Sequence, residues 1–137
     1  MNLQVGVKVL LKSPEGKFLL LKRNPEKYPE MKQFGDMWDI VGGRITIGTP
    51  LLDNLKREVK EETGLELIDE PKLIAAQDIL RLSEKHVVRL TYTAQAQGEP
   101  QLDEDHSEYG WFTLEEMKNI PDLDIYFTEL LSSGKLS

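Results

Sequence analysis

The sequence predicts an α/β domain, and three observations carry that prediction. Short segments rich in Val, Leu and Ile, bounded by Pro, Gly and Asn, read as strands. A capped, amphipathic segment near the middle of the chain reads as a helix. The 137 residues, 39% hydrophobic and 30% charged, suit one domain with a core, expected to span residues 1–137. Zero cysteines exclude disulfide frameworks, thiolate metal sites and cysteine nucleophiles. No apolar run approaches the roughly 18 residues of a membrane span. Met1 to Val5 lacks the basic-then-apolar pattern of a secretory signal. The expectation is a cytoplasmic protein without a membrane partner.

Val5–Leu11 is a Val/Leu-rich strand, Ser13-Pro14-Glu15-Gly16 a turn, and Phe18–Lys22 a second strand, so the chain is expected to open with a hairpin. Asn24–Met37 is polar, carries Pro25, Pro29 and Gly35, and reads as a long loop. Trp38–Val41 is a short strand expected to end at Gly42-Gly43. Thr49 is placed to cap a helix beginning at Pro50 and running to about Thr63, with Gly64 as a left-handed stop. Two strands, Lys72–Leu80 and His86–Ala96, follow around a polar turn. Gly98-Glu99-Pro100 breaks the pattern, Asp103–His106 is an acidic loop, and Tyr109–Phe112 is a last strand. Thr113-Leu114-Glu115-Glu116 is a capping box for a short helix, and Ile125–Leu131 a final one.

Charge is unevenly spread. Residues 1–50 carry eight Lys and Arg against five Asp and Glu, whereas residues 51–137 carry nine against nineteen, for a net −7. Such a surface repels extended nucleic acid. A small polyanion can still bind where a divalent cation bridges it to clustered carboxylates.

The central helix is where those carboxylates cluster. At about 100° per residue, Leu51, Leu52, Leu55 and Val59 form an apolar stripe, with Glu58, Glu61 and Glu62 in an adjoining arc. Glu58 faces Glu61 at i+3 and Glu62 at i+4, and each like-charged pair destabilises a helix by roughly 0.2–0.5 kcal/mol. A hard cation resolves the conflict: Mg²⁺ takes a few carboxylates and leaves positions for water and phosphate oxygens. The preceding glycines allow backbone to approach a ligand closely.

Gly43-x5-Thr49-x7-Arg57-Glu58-Val59-x-Glu61-Glu62-x-Gly64-Leu65 resembles the Nudix box, G-x5-E-x7-R-E-U-x-E-E-x-G-U, with U a bulky aliphatic. The flanks resemble the family too, in Leu20-Leu21-Lys22-Arg23, Trp38-Asp39-Ile40-Val41 and Tyr109-Gly110-Trp111-Phe112. The resemblance implies the Nudix α/β/α sandwich with a mixed central sheet. It implies hydrolysis of a nucleoside diphosphate linked to another group, with Mg²⁺ or Mn²⁺ as cofactor and a small-molecule nucleotide derivative as partner. Carried over by position, Glu58, Glu61 and Glu62 are metal ligands, joined by the Gly43 carbonyl. Glu58 and Glu61 are the catalytic candidates, and Arg57 orients the glutamates. The general base differs between members, so Glu104, Asp105 and Glu108 in the later acidic loop stand beside the box glutamates as candidates. Arg23 and Glu108 are candidates for substrate contact. Dimers are common in the family, which leaves a homodimer open.

Thr49 is the one departure, standing where the family has a glutamate that pairs with the box arginine. Asp53, four residues before Arg57, is the expected replacement partner. Loss of that glutamate also raises an alternative: a nucleotide-binding or regulatory Nudix domain with weak catalysis. His86 and His106 read as surface residues, with His106 the better candidate for a role. Trp38 and Trp111 read as core or groove walls.

Overall fold

The computed structural model describes residues 1–30 and 35–136. Its organising strand is β1 (Asn2–Lys12), whose apolar residues alternate between two cores. Val7, Val9 and Leu11 enter one core and Leu10 the other, as the period-2 side-chain alternation of a strand requires. In β2 (Phe18–Arg23), Leu19 and Leu21 join the first core and Leu20 the second.

The expected hairpin forms only at its turn. Ser13 accepts from Gly16 N at 2.9 Å and donates its N–H to Lys17 O at 2.8 Å. The two strands then pair at Lys12↔Phe18 and diverge. Both edges of β1 are taken by other strands: β4 (Val41–Arg44) runs antiparallel on one side and β7 (Lys85–Gln97) parallel on the other. β2 pairs instead with β3 (Trp38–Asp39) and β8 (His106–Phe112), both antiparallel. A short β5 (Glu66–Leu67), not foreseen, and β6 (Lys72–Ile79) pair with β7. The result is the expected mixed sheet.

Helix α1 (Leu51–Thr63) packs Leu55 and Val59 onto the Val7/Val9/Leu11 face. Each such fully buried side chain contributes about 1.5–3 kcal/mol. On the opposite face lie α2 (Leu114–Lys118) and α3 (Ile125–Ser132), which bring Met117, Phe127 and Leu130 to Leu10, Leu20 and Ile40. The capping box predicted at Thr113 forms, with Glu116 N donating to Thr113 Oγ1 at 3.1 Å. Among the described residues no helix is long and apolar enough to cross a membrane.

Four expectations need correction. The glycine pair lies within β4, because the strand from Trp38 is interrupted at Ile40 and resumes at Val41. Helix α1 begins at Leu51, and the Thr49 hydroxyl does not cap it; the buried Asn54 side chain ties the corner instead. Leu51 is 37% exposed, while Glu62 shares the buried stripe with Leu55 and Val59, being seven residues from Leu55. Finally, β8 opens at His106, three residues earlier than expected. The polar loop expected over Asn24–Met37 falls partly on residues 31–34, outside the described residues.

Candidate active site

The site is built where β4 passes between β1 and helix α1. Gly42 pairs with Lys8 and Gly43 with Val7. Gly42 has φ +143°, and a Cβ there would stand 2.0 Å from Val7 O and 2.7 Å from Lys8 Cα. A Cβ on Gly43 would stand 2.9 Å from Glu58 Oε2. Two glycines in series therefore let the helix carboxylates close onto strand backbone.

Glu58 and Glu62 meet there. Their side chains are 14% and 8% exposed. Gly42 N donates to Glu62 Oε1 at 3.3 Å. Burial first, and then a hydrogen bond shared with Glu58, push the Glu62 carboxyl up to about 9, against the pull of Lys8 and the Gly42 amide. Two carboxylates facing each other in a dry corner cannot both ionise comfortably without a cation. This donor set, with the Gly43 backbone against it, fits a divalent metal.

Glu61 lies outside this pair. Its side chain is 60% exposed and stands 3.8 Å from Arg57 Nε. Among the described residues no three His, Asp or Glu side chains are grouped as a metal cage. Arg57 donates to Glu58 Oε1 at 3.1 Å and to Thr46 Oγ1 at 3.0 Å. Asp53 is not among those contacts; Thr46, from the loop before the helix, takes the place expected for it. Asn54 completes the corner, accepting from Thr46 N and donating to Thr49 O and Pro50 O.

A cavity of about 730 Å³ opens from the carboxylate pair across the sheet. Its floor is a buried ion network. Asp39 receives Arg89 Nη1 and Nη2 at 3.0 and 2.9 Å, Arg23 Nη2 at 3.1 Å and Lys8 Nζ at 3.2 Å. Burial alone would raise the Asp39 carboxyl, but Arg89, then Lys8 and Arg23, hold it far below the usual carboxylate range. Arg89 also reaches Asp124, 3.2 Å away, the N-cap of α3. Asp36 joins the network through Arg23 and Arg81. Arg81 in turn lies over the Tyr126 ring, 5.1 Å from its centroid.

Of the two residues expected to touch substrate, Arg23 lines this cavity. Glu108 faces elsewhere, paired with Lys22 at 3.2 Å and 59% exposed. Asp105 lines the cavity and pairs with Lys27 from the facing loop. His106 also lines it, held by Asp103 at 2.7 Å and standing 3.9 Å from Glu62 Oε1. Burial lowers the His106 pKa against the pull of Asp103. Trp38 packs edge-on against Phe112, and Trp111 borders the first core, as walls rather than open platforms. His86 pairs with Asp78.

Sequence reasoning missed Lys8, Asp39, Arg89 and Asp124. The available signal was a charge inside an otherwise apolar strand, as in Val7-Lys8-Val9 and Trp38-Asp39-Ile40.

Comparison with known proteins decides the family. The NUDIX domain profile matches residues 2–131. The chain belongs to the Nudix hydrolase family. That family acts on phosphorus-containing acid anhydrides. The Nudix fold is shared with the MutT protein of Methanosarcina mazei Go1, at TM-score 0.79 and 25% identity over 96% of this chain and 92% of that one. It is shared equally with a MutT NUDIX hydrolase from Burkholderia pseudomallei, at TM-score 0.76 and 25% identity, with both chains fully covered. A curated Nudix relative, m7GpppN-mRNA hydrolase NUDT17 of Danio rerio, is 40% identical over 66 residues, 48% of this chain. The aligned part spans 21% of that relative's length.

Proposed function

We propose that the protein is a metal-dependent pyrophosphohydrolase that cleaves a nucleoside diphosphate linked to another moiety. One observation carries this reading: buried Glu62 and half-buried Glu58, facing each other against the Gly42-Gly43 backbone, form a cation-demanding corner at one end of a 730 Å³ cavity. Glu58, Glu62 and the Gly43 carbonyl would hold Mg²⁺ or Mn²⁺. When bound, the cation supplies charge neutralisation for the phosphate chain and a more acidic attacking water.

The chain's own groups do the rest. Arg57 holds the Glu58 carboxylate in place while Thr46 anchors the guanidinium. Glu61 is carried as a further ligand or as the base on the Nudix resemblance. Its ion pair with Arg57 is exposed and holds it by no more than about 1 kcal/mol, so Glu61 is free to serve the site. Asp105 is the acid of the later loop that lines the cavity. Arg23, which lines the cavity, offsets the charge of a polyanion lying along the floor.

The NUDT17 relatives are named for m7GpppN, two nucleosides joined through phosphates, which places a capped dinucleotide in the substrate panel. The test is an unbiased hydrolysis screen with Mg²⁺ and product identification, run on nucleotide sugars, nucleoside triphosphates, dinucleoside polyphosphates and capped dinucleotides. Release of a nucleoside monophosphate, phosphate or pyrophosphate is expected. Glu58→Gln, Glu61→Gln and Glu62→Gln should each cut turnover by roughly a hundredfold or more. Equal turnover in the Glu58 and Glu62 variants would remove the assigned site. Thr49 in place of the box glutamate favours a second reading, a nucleotide-binding Nudix domain, which predicts ligand-dependent stabilisation without product.

A further inference from the structure

Lys8 is a charged residue placed inside an apolar strand, and its surroundings account for all of its hydrogen-bonding capacity. An ammonium has three donors. Lys8 Nζ lies 3.3 Å from Ile40 O, 3.3 Å from Gly42 O and 3.2 Å from Asp39 Oδ2, with its side chain only 15% exposed. The two carbonyls flank Val41, so one ammonium grips the chain on either side of the residue that leads into the glycine pair.

The stem of the lysine acts at the same place. A Cβ on Gly42 would stand 2.9 Å from Lys8 Cδ, so the absence of a side chain at Gly42 and the presence of a long one at Lys8 are two halves of one fit. With Gly42 O gripped by Lys8, the N–H of the same residue is turned to Glu62 Oε1 at 3.3 Å.

We infer that Lys8 is a positioning residue: by clamping the Ile40 and Gly42 carbonyls it sets the Gly42-Gly43 backbone against Glu62 and Glu58. It acts through that backbone and those carboxylates, not by touching the reacting atoms. The kinetic arm of its test rests on the hydrolase reading, whereas the exchange arm does not.

The test uses Lys8→Met, which keeps the stem and removes the charge, and Lys8→Arg, which keeps a charged donor. Amide hydrogen exchange is read by NMR on the metal-free full chain. In Lys8→Met, Gly42 N–H protection should fall at least tenfold while amides of α1 and β7 keep theirs; in Lys8→Arg it should be largely retained. On a substrate from the hydrolysis screen, Lys8→Met should lower kcat at least tenfold and change KM less than threefold. Unchanged Gly42 protection overturns the inference, whatever the kinetics. Lost protection with unchanged kcat overturns the link to the reaction. A rise in KM with kcat preserved would make Lys8 a substrate contact, which also overturns it. Should Lys8→Met fail to fold, Lys8→Arg decides: a folded variant with Gly42 unprotected sinks the inference. If no substrate is hydrolysed by the wild type, the exchange arm still stands or falls alone.

Discussion

Asp39 shows how a single carboxylate can be stable where burial should neutralise it. It sits 3% exposed with guanidinium or ammonium groups from Arg89, Arg23 and Lys8, and it also accepts from Ile40 N at 2.8 Å. Removing one partner of a buried ionic set costs about 3–5 kcal/mol, because the charges left behind are uncompensated. Asp39→Asn should therefore destabilise the protein by about that amount at pH 7. The pH dependence has a definite sign. The folded carboxyl is held far below its unfolded value of about 3.9, so its contribution is complete above about pH 4. It drains away at up to about 1.4 kcal/mol per pH unit below that, as the unfolded chain takes up the proton. Urea denaturation at pH 7, 5 and 3 should show wild type and Asp39→Asn converging only between the last two. A constant gap across all three would mean that Asp39 is not the ionised centre of the network.

Helix α1 carries the lesson at the scale of an element. The sequence points to the Thr49 hydroxyl as the cap of its N-terminal corner, yet Asn54 holds it. Asn54 is fully buried and joins Thr46 N at 2.9 Å to the carbonyls of Thr49 and Pro50, both at 2.8 Å. Asn54→Ala empties the buried amide position that ties one N–H to two carbonyls, and should cost about 1–3 kcal/mol in thermal or chemical denaturation. Thr49→Glu adds at most an exposed ion pair and should change stability by less than about 1 kcal/mol. The reverse order of effects would restore Thr49 as the weak point. The box glutamates were legible because their relation is local: spacing along a helix puts Glu58 and Glu62 on neighbouring turns whatever the rest of the chain does. The partners of Lys8, Asp39 and Arg89 were not legible, because alternation in a strand tells which face a side chain takes and not which distant strand lies beside it. The same limit explains the hairpin, whose turn chemistry was local and whose strand pairing was decided by β4, β7, β3 and β8.

For the whole molecule, the parallel register of β1 on β7 brings the charges of the first half of the chain to those of the second. Val5 pairs with Val88, Gly6 with Arg89 and Lys8 with Thr91, so the basic opening segment and the acidic remainder meet at one cavity rather than forming separate surfaces. A phosphate chain entering alone meets a molecule of net charge −7 and the Glu58–Glu62 pair. A divalent cation entering alone finds the carboxylates but only part of its oxygen ligands. Each should therefore bind weakly by itself, and the two together should bind much better, since each supplies what the other lacks. The measurement is thermal denaturation with Mg²⁺, with a nucleoside diphosphate whose bridging oxygen is replaced by methylene, and with both. At concentrations a hundredfold above Kd, the pair should contribute about 2.7 kcal/mol. In a chain of this length that moves Tm by roughly 8–15 °C, well above the sum of the separate shifts. Glu62→Gln should abolish the excess while leaving any shift from nucleotide alone in place. Strictly additive shifts in the wild type would show that cation and phosphate chain do not share the corner beside Gly42 and Gly43.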